Sequence, residues 1–379
     1  MKKKYITFSI VTLVLLVALI TSFNYFKTTN TYIDDSFNNQ TKITKGISMN
    51  LEQTAGAGDY KTVTQSSWPT EGYKFNAELS KCEKGSTLSW DDTKKAVIVS
   101  GNLSDKCYVY FDIYQPTLAE YIKSQYTGTQ GDNGIYYHNS TLANGAGDNS
   151  YRFAGASDSV NNYICLGSDK ATCPDANLFR IIGVFGDQTK VIRAKSVGNK
   201  QWNRSSNTWS SSSLNTYLNG EYLTSLGTLA DKIATTTWKV GGGTYESILT
   251  SVPATAYQYE VGSSASTTTV DKKIGLIYVT DYYYGASPSA WTLMGYNSDA
   301  TKDYRAATST NWLYLGSYEW TISRNSDYTS RAFYVLSTGG VSDGSTVTES
   351  YAARPSFKLL SSTTYVSGSG SMSDPVRVN

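Results

Sequence analysis

The sequence predicts an α+β protein in which an N-terminal transmembrane helix precedes a small all-β module and a larger mixed domain of antiparallel sheets and few helices. Three observations favour this class. Residues 5–26 are an uncharged apolar run about as long as a helix that spans a bilayer. Short alternations of apolar and polar residues, bounded by Gly, Asn and Asp, recur along the rest of the chain as in antiparallel strands. Helical spacing of apolar residues is strong in two segments, 117–126 and 211–226.

The first element is the apolar run, which lies within residues 1–27. Residues 2–4 are lysines, and by the positive-inside rule they stay in the cytoplasm while the chain after residue 26 is outside. The sequence therefore predicts a single-pass protein of the cell membrane that contacts the lipid bilayer through residues 5–26 and has an extracellular C-terminal domain. A cleaved signal peptide is the alternative, because it shares the basic start and the apolar centre. The length of the run and the lack of a clear A-x-A site favour the retained anchor.

The composition indicates a β-rich exported protein and argues against nucleic-acid binding. The chain has 379 residues, enough for roughly two or three domains. Its 33 Lys and Arg residues nearly balance its 31 Asp and Glu residues, so no nucleic-acid partner is expected. The chain also has 31 tyrosines and abundant Ser, Thr, Asn and Gly, which are typical of β-rich proteins outside the cell.

Four cysteines follow the apolar run, and each successive pair falls within one predicted domain. Because an extracellular location permits disulfides, the simplest pairing is Cys82 with Cys107 and Cys165 with Cys173. A different pairing, with free thiols, is the alternative. The chain has no C-x-x-C motif and only one histidine, His138, so neither a metal site nor a cofactor is expected.

Two modules are expected between the anchor and the last domain. Residues 28–45 are polar, rich in Asn and Thr and without periodicity, which predicts a stalk. A small β-domain is expected over residues 46–114, where turn signals such as D-D-T-K-K and G-N-L-S-D separate strand-like runs. The predicted strands of this domain are residues 60–64, 87–90, 96–100 and 107–113. A Gln-Pro pair then marks the start of the last domain, residues 115–379.

The last domain begins with a helix signal, since Thr117 and Glu120 are spaced as a capping box before apolar residues at helical intervals. In the polar passage that follows, Asp132 and Asp148 do not match the spacing of a calcium-binding loop and are expected to be solvated. The later elements predicted are a β-hairpin of residues 178–186 and 191–195, a core-facing helix of residues 211–226, a flexible glycine loop of residues 241–243, and a buried strand of residues 273–281.

The most informative stretch is residues 320–359, where framework and loop residues separate. Apolar residues alternate as in strands around two segments, 325–331 and 342–351, that consist almost entirely of Ser, Thr, Asn, Asp, Tyr and Gly. Such loops suit recognition, because Tyr gives contact area at low entropic cost while Ser, Gly and Asn give adaptable hydrogen bonds. Solvated hairpin turns use the same residues and are the alternative.

The segment from residue 116 to the end resembles an uncharacterised exported bacterial domain family. Its members carry an R-I-I-G hairpin, a W-S-x-S-x-L-x-x-Y-L-N helix and a W-T-I-S-R…G…V…R-P-x-F-x-L ending, found here at residues 180–183, 209–219 and 320–359. That ending also resembles the C-type-lectin-like fold of the formylglycine-generating-enzyme type, which includes variable proteins diversified by retroelements. The resemblance implies that a strand of residues 376–378 pairs near the start of the domain and that Arg354 is structural.

The same resemblance bears on enzyme activity. Formylglycine-generating enzymes use a cysteine pair late in the domain, whereas this chain has no cysteine after Cys173, so oxidase activity is not expected. A catalytic triad of nucleophile, base and acid that includes histidine would have to use His138, the only histidine of the chain. Asp281 and Glu319 are the carboxylates considered for an exported carbohydrate-active enzyme, but buried or solvated structural roles are the stronger expectation for both. We therefore expect the protein not to be an enzyme.

The function expected is that of a surface-displayed binding protein whose lectin-like domain recognises an extracellular glycan or protein ligand, with loops that are candidates for diversification. The residues expected to contact the ligand are Trp320, Asn325, Asp327, Tyr328, Arg331, Asp343 and Tyr351. Trp291 and Trp312 are further aromatic candidates, although each is expected in the core. The alternative function is that of a pilin-like or cell-envelope subunit that binds no small ligand.

Overall fold

The computed structural model describes residues 31–32, 46–64, 67–69, 72–102, 104–292 and 304–379. The chain divides into two compact units, Met1–Gln115 and Pro116–Asn379. The expected transmembrane run and all but two residues of the expected stalk lie outside the described ranges. Within those ranges, no helix combines the length and the apolar character needed to cross a membrane.

The first unit consists of short strands in two sheets. Its strands are β1 (Thr31–Tyr32), β2 (Ile47–Glu52), β3 (Tyr60–Val63), β4 (Tyr73–Phe75), β5 (Lys81–Cys82), β6 (Thr87–Asp91), β7 (Ala96–Ser100) and β8 (Cys107–Ile113). One sheet has the order β3-β2-β8-β4 with β5 also paired to β8, and the other has the order β1-β7-β6. The four predicted strands are confirmed. The prediction omits β1, β4 and β5, and also β2, although I-S-M-N-L-E alternates as a strand should.

A disulfide joins two strands of the first unit. Cys82 on β5 and Cys107 on β8 sit directly opposite each other and form the predicted bond. The two cysteines are 25 residues apart in the sequence, and by loop-closure entropy such a link stabilises the fold by about 3 kcal/mol. The bond supplements a core that is small and centred on Val97, Val109 and Phe111.

The second unit contains three sheets. Its strands are β9 (Ile135–Tyr137), β10 (Tyr151–Phe153), β11 (Tyr163–Cys165), β12 (Leu178–Phe185), β13 (Gln188–Arg193), β14 (Asn199–Gln201), β15 (Thr236–Lys239), β16 (Thr269–Lys272), β17 (Ile274–Gly275), β18 (Glu319–Arg324), β19 (Ala332–Val335), β20 (Val341–Ser342), β21 (Ser350–Ala352), β22 (Ser356–Lys358), β23 (Tyr365–Ser367) and β24 (Val376–Val378). A nine-stranded sheet has the path β17-β22-β13-β12-β11-β24-β23, with β10 and β9 branching from β12. A five-stranded sheet has the order β14-β21-β18-β19-β20, and β15 pairs with β16.

Helices in the second unit are short. The α-helices are Leu118–Ser124, Ser213–Tyr217, Leu223–Ser225, Tyr245–Leu249, Pro253–Glu260 and Val279–Tyr284; Leu218–Tyr222 is a π-helix; and the 3₁₀ turns are Asp132–Gly134, Asp175–Asn177, Trp209–Ser211, Gly227–Lys232, Pro288–Ala290 and Tyr304–Thr310. The predicted α+β class, with antiparallel sheets and few helices, is confirmed. The predicted capping box is confirmed too, since Thr117 Oγ1 accepts from the Glu120 N–H and Glu120 Oε2 accepts from the Thr117 N–H.

The two ends of the second unit lie next to each other, which the resemblance described above implied. The Tyr365 N–H on β23 donates to the Pro116 carbonyl, and the Leu118 N–H donates to the Thr363 carbonyl. The predicted C-terminal strand is present as β24, which pairs with both β23 and β11. The predicted β12–β13 hairpin is confirmed, and the predicted disulfide between Cys165 and Cys173 is formed at the end of β11.

The predicted helix of residues 211–226 is interrupted by a π-helical turn. Leu214 and Leu218 are buried as expected, but Tyr217, Leu223 and Leu226 are only partly buried. A π turn takes one extra residue, so the buried stripe shifts and the Tyr222 side chain enters the core instead. Spacing at a constant helical period could not anticipate this change.

The predicted strand of residues 273–281 is wrong beyond its first residues. Only Ile274–Gly275 forms a strand, and the helix Val279–Tyr284 follows with all six residues buried. A short apolar run does not distinguish a buried strand from a buried helix, because both hide every side chain. The Asp281 carboxylate accepts the Tyr278 N–H and so caps the helix.

Arg354 is structural, as expected, and its partner is Glu319. Arg354 Nε and Nη2 donate to the two carboxylate oxygens of Glu319 at 2.7 and 2.8 Å, and Arg354 Nη2 also donates to the Leu313 carbonyl. Both side chains are buried. Burial raises the pKa of Glu319, while Arg354 lowers it. The pair fixes the start of β18 against the segment before β22.

We expect Arg354→Met to lower the free energy of unfolding of the full-length chain by about 3 to 5 kcal/mol, because Glu319 would be left buried without a cation. Lys195→Met is the control, since it breaks an ion pair with Asp175 whose side chains are 64% and 65% exposed. The control should cost less than about 1 kcal/mol. Urea denaturation followed by Trp fluorescence measures both losses, and equal losses would contradict the prediction.

Candidate functional site

The two loops singled out in the sequence lie against each other. One connects β18 to β19 and covers residues 325–331, and the other connects β20 to β21 and covers residues 343–349. A β-bridge pairs Arg331 with Thr346, and the Val347 N–H donates to the Ser330 carbonyl at 2.9 Å. The two loops therefore form one continuous surface, called here the loop surface.

Asn325 organises the first loop from inside. Its Oδ1 accepts the N–H groups of Asp327 and Tyr328 at 2.7 and 3.1 Å, and its own N–H donates to the Arg331 carbonyl at 3.1 Å. Its Nδ2 donates to the Asp343 carboxylate in the second loop. Asn325 is fully buried, and its hydrogen bonds hold the two loops together.

Asn207 holds the same loop from a distant part of the chain. Its Nδ2 lies 2.7 to 2.8 Å from the carbonyl oxygens of Asn325, Tyr328 and Arg331. Its backbone N–H donates to the Thr329 carbonyl at 2.7 Å. Asn207 could not be recognised from the sequence, because it is one polar residue in a polar loop and no local pattern distinguishes it.

The structure divides the expected ligand residues into supporting and exposed ones. Trp320 is fully buried and its Nε1 donates to the Lys200 carbonyl at 2.9 Å; Asn325 and Asp343 are also buried. These three side chains are not available to a ligand, which corrects their expected role from contact to support. Trp291 and Trp312 are buried core residues, as expected. The exposed or partly exposed residues are Asp327, Tyr328, Arg331 and Tyr351.

Tyr328 and Arg331 form the exposed centre of the loop surface. The Tyr328 side chain is 52% exposed, and the Arg331 guanidinium lies over its ring at 4.3 Å from the centroid. A cation–π contact of this kind contributes about 0.5 to 1 kcal/mol at an exposed site. It orients the ring, so the surface presents an ordered aromatic face beside the exposed carboxylate of Asp327.

A second aromatic group lies at the other end of β18. The ring of Tyr351 stacks on that of Tyr318 with centroids 5.0 Å apart, and Tyr318 is 43% exposed. The Tyr351 hydroxyl shares a hydrogen bond of 2.7 Å with Ser345 Oγ. Tyr351 therefore contributes to an aromatic shelf in which Tyr318, which the sequence analysis did not single out, is the more exposed ring.

A groove of about 670 Å³ adjoins the first loop. The glycine segment of residues 241–243 lines it together with Arg324 and Ser326. This segment was expected to be flexible, but the Gly243 N–H donates to the Arg324 carbonyl and the Ser326 N–H donates to the Gly243 carbonyl. Arg324 Nε also donates to the Gly241 carbonyl at 2.9 Å. These bonds attach the groove wall to the loop surface.

The groups considered for catalysis are buried. Asp281 is in an ion pair with Lys190, and Glu319 is in its pair with Arg354. His138 is fully buried between the rings of Tyr284 and Trp291. Burial, assisted by the charge of Arg152, holds the pKa of His138 well below its ordinary value.

The acidic residues weighed for calcium have other partners. Asp148, expected to be solvated, is mostly buried and accepts from Arg152 Nη2 at 2.6 Å, which corrects that expectation. Asp132 accepts from Thr127 Oγ1 at 2.6 Å. Among the residues that the structure describes, no group of three or more His, Cys, Asp or Glu side chains could hold a metal ion.

Comparison of the chain with protein families, with curated proteins and with solved structures finds no match. The resemblance to the C-type-lectin-like fold therefore stays a prediction. The contacts and exposure of the loop surface are the basis on which its role is inferred.

We expect Gly242→Ala to destabilise the chain by about 1 to 3 kcal/mol more than Gly186→Ala. Both glycines have left-handed backbones, with φ of +66° and +67°, so both variants carry a similar conformational cost of about 1 kcal/mol. A Cβ at Gly242 would lie 1.9 Å from the Arg324 carbonyl oxygen, whereas a Cβ at Gly186 meets nothing within 4 Å. Urea denaturation of both variants measures the difference in their free energies of unfolding. Equal free energies would contradict the prediction, because they would show that the groove wall moves freely.

We expect the free energy of unfolding to fall as the pH drops below about 6.5, by up to about 1.4 kcal/mol per pH unit. The unfolded chain takes up a proton on His138 there, whereas the folded chain, in which the pKa of His138 is lowered, does not. His138→Asn is the matched variant, because the amide oxygen can replace Nδ1 as acceptor of the Ala146 N–H. Urea midpoints between pH 7 and about 5.5 measure how the free energy of unfolding changes with pH. An equal change with pH in His138→Asn would contradict the assignment to His138, the only histidine of the chain.

Proposed function

We propose that the protein is a membrane-anchored, surface-displayed binding protein that recognises an extracellular glycan or protein ligand through the loop surface. The observation that carries the proposal is the joining of two distant loops into one hydrogen-bonded surface. The loops share the bridge between Arg331 and Thr346 and the contact between Asn325 and Asp343. Solvated turns without a role in binding would not need such links.

Preorganisation supports the proposal. Ordering a loop on binding costs free energy that is subtracted from the affinity. Here Asn325 and Asn207 already hold the backbone carbonyl and N–H groups of the first loop. A ligand that meets this loop therefore loses little to the ordering of the backbone.

The exposed chemistry suits a polar ligand with a flat apolar face. The Tyr328 ring provides a face for stacking, while Asp327 accepts and Arg331 donates hydrogen bonds. The groove beside the loop adds hydroxyl groups, which come from Thr244, Ser247, Ser251, Thr255, Ser264 and Ser266. A sugar ring combines C–H faces with many hydroxyls, so a glycan matches this set of groups.

Display outside the cell is supported by the cysteines and by the N-terminal sequence. Each unit contains one disulfide, and disulfides persist mainly in oxidising surroundings. The apolar run of residues 5–26 behind three lysines is the proposed membrane anchor. With this orientation, both disulfide-bonded units would lie outside the membrane.

We expect Tyr328→Ala to weaken ligand binding at least about tenfold, because a partly exposed tyrosine at the centre of an interface typically contributes more than about 1.4 kcal/mol. The full-length protein is screened on a glycan array and against extracts of cell-surface proteins, and the captured ligands are titrated. Met372→Ala is the control, since Met372 is 66% exposed and lies outside the loop surface. This variant should bind as the unchanged protein does.

Two results would contradict the proposal. One is binding that persists unchanged in the triple variant Tyr328→Ala, Arg331→Ala and Tyr351→Ala, because the ligand would then lie elsewhere. The other is the lack of any captured ligand together with regular oligomers of the purified protein, which would favour the structural envelope subunit.

A further inference from the structure

A lysine and an aspartate are in direct contact inside the second unit. Lys190 lies on β13 and Asp281 lies on the buried helix Val279–Tyr284, 91 residues later in the chain. Lys190 Nζ is 2.5 Å from Asp281 Oδ2, and each side chain is 4% exposed. The two reactive groups are thus held together away from bulk solvent.

Lys190 is enclosed by aromatic rings and lies near another lysine. Its Nζ lies 4.8, 5.4 and 5.7 Å from the ring centroids of Tyr278, Trp238 and Phe185. Burial lowers the pKa of Lys190, against the opposing effect of Asp281. Lys358 Nζ lies over the same Phe185 ring at 5.6 Å and adds a second positive charge. The lowered pKa of Lys190 favours the neutral amine, which is the nucleophilic form.

Arg152 provides a free hydrogen-bond donor on the other side of the carboxyl group. Its Nε and Nη2 donate to Ser150 and Asp148, whereas its buried Nη1 has no hydrogen-bond partner among the described residues. That nitrogen lies 3.7 Å from Asp281 Oδ1. A buried donor without an acceptor is rare and calls for an explanation. Its position suits stabilisation of negative charge that develops on Oδ1.

We propose that Lys190 and Asp281 form an intramolecular amide crosslink. The proposal rests on the direct contact, on the aromatic enclosure and on the unpaired Arg152 donor. It is independent of the ligand proposed for the loop surface. The crosslink would join β13 of the nine-stranded sheet to the buried helix by a covalent bond.

The reaction balances without an external reagent. A proton passes from the Lys190 ammonium to Asp281 Oδ2 along the 2.5 Å contact, which leaves an amine and a carboxylic acid. The amine lone pair attacks Cγ, and the negative charge that develops on Oδ1 faces Arg152 Nη1. The Cγ–Oδ2 bond then breaks, and Oδ2 leaves as water with two of the three ammonium protons. The third proton stays on the new amide nitrogen.

The test is the mass of the intact full-length protein after reduction of its disulfides. We expect a mass lower than that of the sequence by one water molecule. Tandem mass spectrometry of a digest should then show the peptide containing Lys190 joined to the peptide containing Asp281. A mass equal to that of the sequence overturns the proposal, and so does a water loss that maps to other residues.

Two lysine variants make the assignment specific. Lys190→Arg keeps a cation at this position but cannot form the bond, so its mass should equal that of its sequence. Lys358→Arg changes the neighbouring lysine beside the same aromatic ring and should keep the water loss. Retention of the water loss in Lys190→Arg would overturn the proposal. The mass of the protein without substitutions shows whether the crosslink forms. The test therefore stands even if one of the variants fails to fold.

Discussion

The second unit depends on one buried helix, Val279–Tyr284, whose first backbone N–H groups need hydrogen-bond acceptors inside the protein. All six residues of this helix are buried, so its first N–H groups cannot reach water. The Glu260 carboxylate accepts the N–H groups of Val279 and Thr280 at 2.9 Å each, and Asp281 accepts the N–H of Tyr278 at the same distance. Two carboxylates inside the protein need cations or hydrogen bonds nearby. Lys190 and Arg152 meet that need at Asp281, and Thr280 and Ser323 do so at Glu260.

This buried arrangement determines where the loop surface stands. Ser323 on β18 donates to Glu260, and the Ile322 N–H donates to the Ile277 carbonyl just before the helix. β18 is therefore bonded to Glu260 and to the segment just before the buried helix, and the Arg354–Glu319 pair holds its first residue. The first loop leaves β18 at Asn325, so its position is set by polar groups in the interior. The same polar residues on a loosely attached strand would be ordinary solvated turns.

The unit is also closed by links between distant parts of the chain. Asn207 reaches the first loop across 118 residues or more, and Lys190 reaches Asp281 across 91. A disulfide closes the end of β11, and the proposed amide would add a covalent bond at the centre. Crosslinks of this kind restrict the unfolded chain and slow local opening, which suits the extracellular location proposed for the protein.

The sequence by itself determined the features that arise from local patterns. The strands at residues 96–100 and 107–113, the β12–β13 hairpin, the Thr117–Glu120 cap and both cysteine pairs follow from alternation, turn chemistry and spacing. The α+β class follows from the same patterns. The membrane anchor, the lectin-like fold and the ligand stay predictions, because they concern residues or relationships that the structure does not test.

Only the tertiary structure decided that residues 279–284 are a helix and that Trp320, Asn325 and Asp343 are buried beneath the loop surface. The same holds for Asn207, which holds the first loop, and for Tyr318, which stacks on Tyr351. The physical reason is the same in each case. Burial and hydrogen bonding depend on which distant segments meet, and a single apolar or polar residue carries no record of its partner. Lys190 and Asp281 illustrate this most clearly, since nothing in the sequence pairs these two residues until the fold brings them into contact.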